Sequence, residues 1–211
     1  MLFEACHSIF PEADLIGEET GILERKNEYA WIIDPLDGTV NFVHGLPAYC
    51  ISVGLVKDEV PVAGCIYHIS ADEMYLGGKG WGAQMNGKPL SVSSKKTLRE
   101  SLVGTGFPYA EFGTSSAYLS VMEEFIKKCN GVRRVGAAAL DLAWVARGIL
   151  DGFYEIGLKS WDIAAGIAII NEAGGQISNF KGASNVLFGR QIVASNSALH
   201  SQMLEVIGNH Y

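Results

Sequence analysis

Residues 31–42 read WIIDPLDGTVNF, and this stretch decides how the rest of the chain is interpreted. The run at residues 29–33 is short, aromatic and β-branched, which predicts a strand that stops at Asp34. A loop follows, in which a proline fixes one backbone torsion and Gly38 lets the chain pass close to a ligand. A rigid loop of this kind directs the carboxylates of Asp34 and Asp37 at one point.

The same loop also predicts a position for a phosphate group. A helical turn that begins near Gly38 leaves the amides of Gly38 and Thr39 facing outward without partners, at the positive end of the peptide dipoles. Amides in this position bind phosphate groups. The loop therefore combines acidic side chains with an anion-binding backbone.

The composition limits the class of protein. The chain has 211 residues, of which 48% are hydrophobic, so residues 1–211 are expected to form one domain with a sizeable core. The net charge of −7 is spread along the chain without a basic block. This distribution argues against a nucleic-acid-binding surface and fits a protein that binds cations.

The cysteines and the apolar runs indicate the compartment. The four cysteines form neither a CxxC pair nor a dense disulfide framework, which favours reduced thiols in the cytoplasm. The N-terminal stretch is too short and too polar for a signal peptide, and no apolar run reaches the ~18 residues of a membrane span. We therefore expect a cytoplasmic protein with no membrane partner.

Periodicity along the rest of the chain predicts both sheet and helix. Apolar, β-prone stretches between polar turns predict an antiparallel meander over residues 49–56, 62–68 and 73–77. Apolar residues at helical spacing predict helices over residues 115–128, 137–150 and 162–173. These elements predict an α+β fold in which sheets and helices form layers.

Two further acidic residues, Glu18 and Asp162, strengthen the case for a metal. Each acidic signal has an ordinary reading by itself, because a DxxDG string is a common turn and an aspartate before an apolar helix is a common cap. Carboxylates that lie close together raise one another's pKa unless a cation or proton lies between them. Magnesium is the natural partner, since it prefers oxygen ligands and keeps waters that a substrate can replace.

Three segments together resemble the inositol monophosphatase family, within the lithium-sensitive, magnesium-dependent phosphatases. Residues 17–19, 31–47 and 161–166 match the family patterns GEE, WxIDPxDGTxNFxxGxP and WDxAAG. The resemblance implies an α+β fold, a layered α/β sandwich of the inositol-monophosphatase/fructose-bisphosphatase type. Only 17 residues precede Glu18, so the N-terminal helices of the family, one of which carries a T-x-x-D sequence, are expected to be truncated.

The resemblance also implies which residues form the site. Two or three magnesium ions would be held by Glu18, Asp34, the carbonyl of Leu36, Asp37 and Asp162. The residues implied in catalysis are Glu18, Thr39 and Asp37. The residues implied in substrate binding are Gly38, Thr39, Gly136, Ala137, Ala138, Glu155 and Asp162.

The implied activity is hydrolysis of a small phosphomonoester, with inositol 1-phosphate as the first choice of substrate. Water activated by magnesium would attack in line, with no covalent phosphoenzyme. The chain lacks a GxSxG elbow, which agrees with this mechanism. The family also implies lithium sensitivity and a homodimer.

Alternatives remain open at this point. Related families that hydrolyse fructose 1,6-bisphosphate, 3′-phosphonucleotides or histidinol phosphate share the metal motif. The other alternative is a shortened chain that serves as a weakly active binding or regulatory protein. Ala137 stands where many family members have a hydroxyl, His44 is interpreted as structural, and residues 104–106 (Gly-Thr-Gly) are interpreted as a turn.

Overall fold

The computed structural model describes residues 2–18, 27–107 and 115–211. The helices in these ranges are α1 (Leu2–Ile9), α2 (Thr39–His44), α3 (Ser115–Lys128), α4 (Ala138–Ala146), α5 (Ser160–Glu172) and α6 (Ser197–Gly208). The strands are β1 (Asp14–Gly17), β2 (Tyr29–Asp37), β3 (Cys50–Lys57), β4 (Val60–His68), β5 (Glu73–Gly78), β6 (Gly82–Met85), β7 (Lys88–Pro89), β8 (Leu102–Thr105), β9 (Gly131–Arg133), β10 (Gly152–Ile156), β11 (Gly175–Ser178) and β12 (Gln191–Asn196).

The strands form two sheets. The first has seven strands in chain order from β1 to β7, with β1 parallel to β2 and every later pair antiparallel. The predicted meander is therefore confirmed. The second sheet has the order β11-β12-β10-β8-β9 and contains both parallel and antiparallel pairs.

Helices and sheets alternate in layers, as predicted. Helix α5 packs on β3 and β4 of the first sheet, and α4 packs on α5 and on β10 and β12 of the second sheet. The chain has two hydrophobic cores, and successive residues of β10 point into different ones. Phe153 points into the core between the sheets, whereas Tyr154 points into a second core with Phe125 of α3 and Met203 of α6.

A row of glycines across the first sheet brings α5 close to it. Gly54, Gly64 and Gly77 are direct neighbours on β3, β4 and β5. A Cβ on Gly54 would lie 2.7 Å from the Cβ of Ala164, and a Cβ on Gly64 would lie 2.7 Å from the Cα of Ala165. The helix therefore rests on bare backbone, and this contact fixes where α5 begins relative to the end of β2.

Several element limits differ from the predictions. Strand β2 runs on to Asp37 rather than stopping before Asp34, and it does so through a register shift against β3 between these two aspartates. Helix α4 ends at Ala146 rather than at residue 150, because Gly148 adopts a positive φ of 73°. The predicted turn at residues 104–106 is wrong, since two of its residues end strand β8.

The N-terminal helix α1 lies beside the first strand. The ring of Phe3 packs against Gly17, where a Cβ would come within 2.9 Å of the ring carbon Cε1. Gly17 is therefore fixed by packing as well as by its strand, and this sets the position of the following residue, Glu18. No helix among the described residues has the length and apolarity needed to cross a bilayer.

The contact between Gly64 and α5 gives a stability prediction. Gly64→Ala is expected to lower the free energy of unfolding by at least about 1–3 kcal/mol, because the new methyl group meets helix backbone, which cannot rotate away. Gly208→Ala is the control, since a Cβ there would point into open space. Urea unfolding of both variants checks this, and an equal, small effect in both would show that the close contact is unimportant.

Candidate functional site

Glu18 and Asp34 each follow directly after one member of a residue pair that joins two parallel strands. Gly17 of β1 pairs with Ile33 of β2, so the next residue on each strand is acidic. Asp34 is only 3% exposed, whereas Glu18 is exposed. The Oδ1 of Asp34 accepts a hydrogen bond of 2.9 Å from the amide of Leu36, which holds the carboxylate beside the register shift of β2.

Asp37 joins the end of β2 to the start of α4. Its Oδ2 accepts a hydrogen bond of 2.7 Å from the amide of Ala139, a residue 102 positions away in the chain. The Cys50 thiol lies 3.8 Å from the same oxygen. The carboxylate thus satisfies an amide in the first turn of α4, where amides have no partner within the helix.

Asp162 occupies the first turn of α5. Its Oδ2 accepts a hydrogen bond of 2.7 Å from the amide of Lys159, just before the helix. The Ser52 hydroxyl of β3 donates to the carbonyl of Trp161 at 3.3 Å, which ties this helix start to the first sheet. Helix α5 begins at Ser160, so Asp162 is its third residue and not the cap residue expected from the sequence. Its carboxylate instead accepts the amide of the cap residue Lys159, and the same side chain lies near the other acids.

The turn after Asp37 requires a glycine. Gly38 has a φ of +84°, and a Cβ there would lie 2.8 Å from the carbonyl oxygen of Ala48 and 3.1 Å from the Cβ of Ala137. Helix α2 begins at the next residue, as predicted. The hydroxyl of Thr39 donates to the carbonyl of Leu36 at 2.9 Å.

The amide of Gly38 lies near the Asp37 carboxylate. Burial raises the pKa of Asp37 well above its usual range, and the amides of Ala139 and Gly38 partly oppose this rise. The role of Gly38 and Thr39 in holding a phosphate remains a prediction.

The acidic side chains act on one another electrostatically. Burial raises the pKa of Asp34 to about 7, with further increases from the charges of Asp162 and Glu18. Burial and the charge of Glu18 likewise raise the pKa of Asp162 to about 6. Burial raises the pKa of Asp37 well above its usual range, and Asp162 and Asp34 add to the effect. Four acids from distant parts of the sequence therefore share one region.

The donor chemistry of this region suits a hard cation, because its side chains are carboxylates with oxygen donors and unbalanced negative charge. The positions of these side chains, in contrast, do not form a complete metal site. Among the residues that the structure describes, no group of three or more histidine, cysteine or acidic side chains has the geometry to hold a metal ion. One oxygen each of Asp34, Asp37 and Asp162 accepts a backbone amide instead.

Glu155 extends the acidic region towards the second sheet. Burial raises its pKa to about 8, with contributions from Asp162 and Asp37, while Arg134 acts in the opposite direction. Its carboxylate fills the space beside Gly106, where any Cβ would overlap it. Gly106 is therefore needed for this placement.

Gly136, Ala137 and Ala138 lie at the start of α4, next to the turn at Gly38. Gly136 has a φ of +92°, Ala137 is the cap residue and Ala138 is the first helical residue. Together with Glu155 they complete the predicted set of alcohol-contacting positions.

Asp141 is an acidic residue that the sequence reasoning missed. It is 1% exposed within α4, and its Oδ1 has no hydrogen-bond partner. Burial and the charges of Glu155 and Asp37 raise its pKa well above the usual range. A single acid in the otherwise apolar run of residues 137–146 was the available signal. His44, in contrast, is exposed at the end of α2.

Comparison with known proteins adds a family to this geometry. The inositol monophosphatase family model matches residues 1–210. The chain is 41% identical over its full length to the "Putative Nus factor SuhB" of Neisseria meningitidis serogroup B and covers 81% of it. It is also 41% identical to the "Fructose-1,6-bisphosphatase/inositol-1-monophosphatase" of Aquifex aeolicus, over 96% of this chain and 76% of that one.

Among solved structures, the inositol monophosphatase from Anabaena (Nostoc) sp. PCC 7120 superposes with a TM-score of 0.92 at 38% identity. That superposition covers 99% of this chain and 83% of the other. The layered α+β fold is therefore shared with solved members of this family.

The raised pKa of Asp34 gives a pH prediction for the metal-free protein. From about pH 4, the ordinary pKa of an aspartate, up to about pH 7, the folded state keeps a proton that the unfolded state has released. This group therefore makes the free energy of unfolding fall as the pH rises. Asp34→Asn is expected to become more stable relative to the parent over this window, by up to a few kcal/mol.

Urea unfolding at several pH values between 4 and 8, with a chelator present, measures this difference. Asp58→Asn is the control, because Asp58 is exposed in a turn with a positive φ of 45°, a conformation that asparagine accepts. A constant difference between Asp34→Asn and the parent across the pH range would contradict the prediction.

Proposed function

Because the chain belongs to the inositol monophosphatase family, we propose that it is a magnesium-dependent phosphatase that hydrolyses a small phosphorylated polyol, with inositol 1-phosphate as the first substrate to test. The observation that carries the proposal is the electrostatic coupling of Glu18, Asp34, Asp37 and Asp162. Burying acids together destabilises a protein unless something binds them, and a divalent cation is the simplest such partner.

In this proposal Glu18, Asp34, Asp37, Asp162 and the Leu36 carbonyl hold two or three magnesium ions. When bound, the ions supply activation of water and stabilisation of the departing alkoxide. The amide hydrogen bonds to Asp34, Asp37 and Asp162 hold these carboxylates in place. That anchoring supports preorganisation, since it restricts each acid to one orientation.

The remaining residues bind and orient the reactants. Thr39 and Glu18 orient the attacking water. Asp37 is the third residue of the proposed catalytic set. The amides of Gly38 and Thr39 position the phosphate. Direct attack in line needs no covalent intermediate on the protein.

The alcohol part of the substrate is assigned to the start of α4. Gly136, Ala137 and Ala138 offer backbone groups and small side chains as the contacts of the alcohol. Glu155 and Asp162 offer carboxylate oxygens, which accept hydrogen bonds from hydroxyl groups. A polyol therefore suits this surface better than an apolar alcohol.

The same proposal includes a cytoplasmic homodimer that is sensitive to lithium and that binds neither nucleic acid nor membrane. The net charge of −7 supports the absence of a nucleic-acid surface. The four cysteines are all unpaired, as expected for reduced thiols. Lithium sensitivity and the dimer are expectations from the family.

One alternative concerns the substrate. The Aquifex aeolicus relative carries both fructose-1,6-bisphosphatase and inositol-1-monophosphatase in its name. Fructose 1,6-bisphosphate, a 3′-phosphonucleotide and histidinol phosphate are therefore tested beside inositol 1-phosphate.

The other alternative is a binding or regulatory role, since the Neisseria meningitidis relative is named a putative Nus factor. The incomplete metal geometry among the described residues also fits this alternative. Phosphate release separates the two, because a binding protein would release none from any ester.

We expect inositol 1-phosphate to give the highest kcat/KM of the panel, in the presence of magnesium and with loss of activity on chelation. The reason is that Glu155 and Asp162 can accept several hydroxyl hydrogen bonds from this substrate. Phosphate release under steady-state conditions measures the ranking. A higher kcat/KM for another ester would overturn the choice of substrate, and no release from any ester would overturn the proposed activity.

Asp162→Asn is expected to reduce kcat/KM by more than the roughly 10–100-fold typical of losing a group that only supports a metal ligand. Asparagine keeps an oxygen for the Lys159 amide but lacks the charge. Glu172→Gln is the control at the other end of α5, where the side chain only accepts the amides of Gly80 and Gly82. Similar kinetics for parent and Asp162→Asn would remove this residue from the site.

A further inference from the structure

We infer that Asn41 is a positioning residue that holds the proposed phosphate-binding segment and the proposed alcohol-binding segment in fixed register. The inference rests on the proposed function for its consequence in catalysis, and on the contacts of Asn41 for its geometry. The two segments are residues 38–48, which contain the Gly38 turn and α2, and residues 135–138, which lead into α4.

One side-chain amide joins the two segments. The Nδ2 of Asn41 donates to the carbonyl of Ala48 at 2.7 Å and to the carbonyl of Val135 at 2.9 Å. Val135 is 94 positions away in the chain. The side chain is 3% exposed, so water cannot easily replace it as the partner of the two carbonyls.

The neighbouring contacts show that these hydrogen bonds act at the site. The space beside Gly136 is filled by the guanidinium of Arg134, and the Nδ2 of Asn41 also borders it, 3.2 Å from where a Cβ would lie. The space beside Gly38 is bounded by the carbonyl of Ala48, which Asn41 also binds, and by the Cβ of Ala137. Asn41 thus borders the Gly136 turn directly and reaches the Gly38 turn through Ala48. A shift of residues 135–138 relative to residues 38–48 would break one of its hydrogen bonds.

Asparagine is suited to this position by its donor count. Both acceptors are carbonyl oxygens, so the position needs two N–H donors on a short side chain, which the primary amide supplies. An ionised aspartate has the same shape but no N–H donor, and an alanine side chain has no hydrogen-bonding group at all. Serine offers one donor, so it can serve at most one of the two carbonyls.

Asn196 provides a control with the same donor pattern, although its Oδ1 also accepts the amide of Leu199 at 3.0 Å at the start of α6. It is also 3% exposed, and its Nδ2 donates to the hydroxyl of Ser93 at 2.9 Å and to the carbonyl of Lys95 at 3.1 Å. These partners lie in the loop before β8 rather than in the proposed site. Loss of either asparagine leaves buried groups unsatisfied, so both changes are expected to lower the melting temperature.

The catalytic test compares two esters, inositol 1-phosphate and phenyl phosphate, with magnesium present. Phenyl phosphate has no hydroxyl groups for the 135–138 segment to recognise. For Asn41→Ala, the ratio of kcat/KM for the inositol ester to that for the phenyl ester is expected to fall about 10-fold or more, since a misplacement of 1 Å can cost about 100-fold. For Asn196→Ala, the ratio is expected to stay within about 2-fold of the parent.

A second readout does not depend on activity. Hydrogen exchange followed by mass spectrometry is expected to show faster exchange in both residues 38–48 and residues 135–138 of Asn41→Ala. Asn196→Ala is expected to leave both segments unchanged. If Asn41→Ala does not fold, Asn41→Ser is measured instead, with faster exchange expected in at least one of the two segments.

The outcomes separate this inference from the proposed function. A parent that hydrolyses neither ester contradicts the choice of inositol 1-phosphate as the substrate, and the exchange data then decide the positioning role alone. Unchanged exchange in both segments of the Asn41 variant contradicts the positioning role. An unchanged ester ratio in an active, folded Asn41 variant contradicts its consequence for substrate selection, as does an equal fall in Asn196→Ala.

Discussion

The burial of several neighbouring carboxylates, which also repel one another, is the constraint on which this structure depends. Asp34, Asp37 and Asp162 are drawn into one region with Glu18, and each of the three aspartates has a raised pKa. Without a compensating ligand these charges oppose folding, because water is replaced by protein around them. The fold must therefore hold the acids together by other means, which are backbone amides and the packing of α5.

Packing and chemistry meet at the start of α5. The helix lies directly on the glycine row of β3, β4 and β5, so its position along the sheet is determined by backbone contact rather than by flexible side chains. Asp162 projects from the first turn of this helix, beside the end of β2. The close contact between α5 and the glycine row therefore determines the position of the Asp162 carboxylate.

Much of this arrangement could be predicted from the sequence. Local patterns predicted the meander and the α3, α4 and α5 helices, since alternation and helical spacing depend on nearby residues. The motif around residues 31–42 predicted the helical turn after Gly38 and the carboxylates near it. The acids came together as the family resemblance implied, although their metal-binding role remains a prediction.

The remaining features depend on contacts between distant residues. The register shift within β2 reflects its pairing with β3, and the bond from Asp37 to the Ala139 amide spans 102 positions. Gly106 is needed only because Glu155 occupies the space beside it in the folded chain. Local spacing carries no information about such contacts, so the role of Gly106 and the burial of Asp141 could be recognised only in three dimensions.

The central claim is that a divalent cation balances the four acids, and a calorimetric titration with magnesium tests it most directly. Repeating the titration at pH 6 in two buffers of different ionisation enthalpy gives the number of protons released on binding. Asp34 and Asp162, with pKa values of about 7 and about 6, are partly protonated at this pH. The account predicts saturable magnesium binding that releases protons at pH 6 and releases none near pH 9. Magnesium binding without proton release at pH 6, or no binding at all, would contradict it.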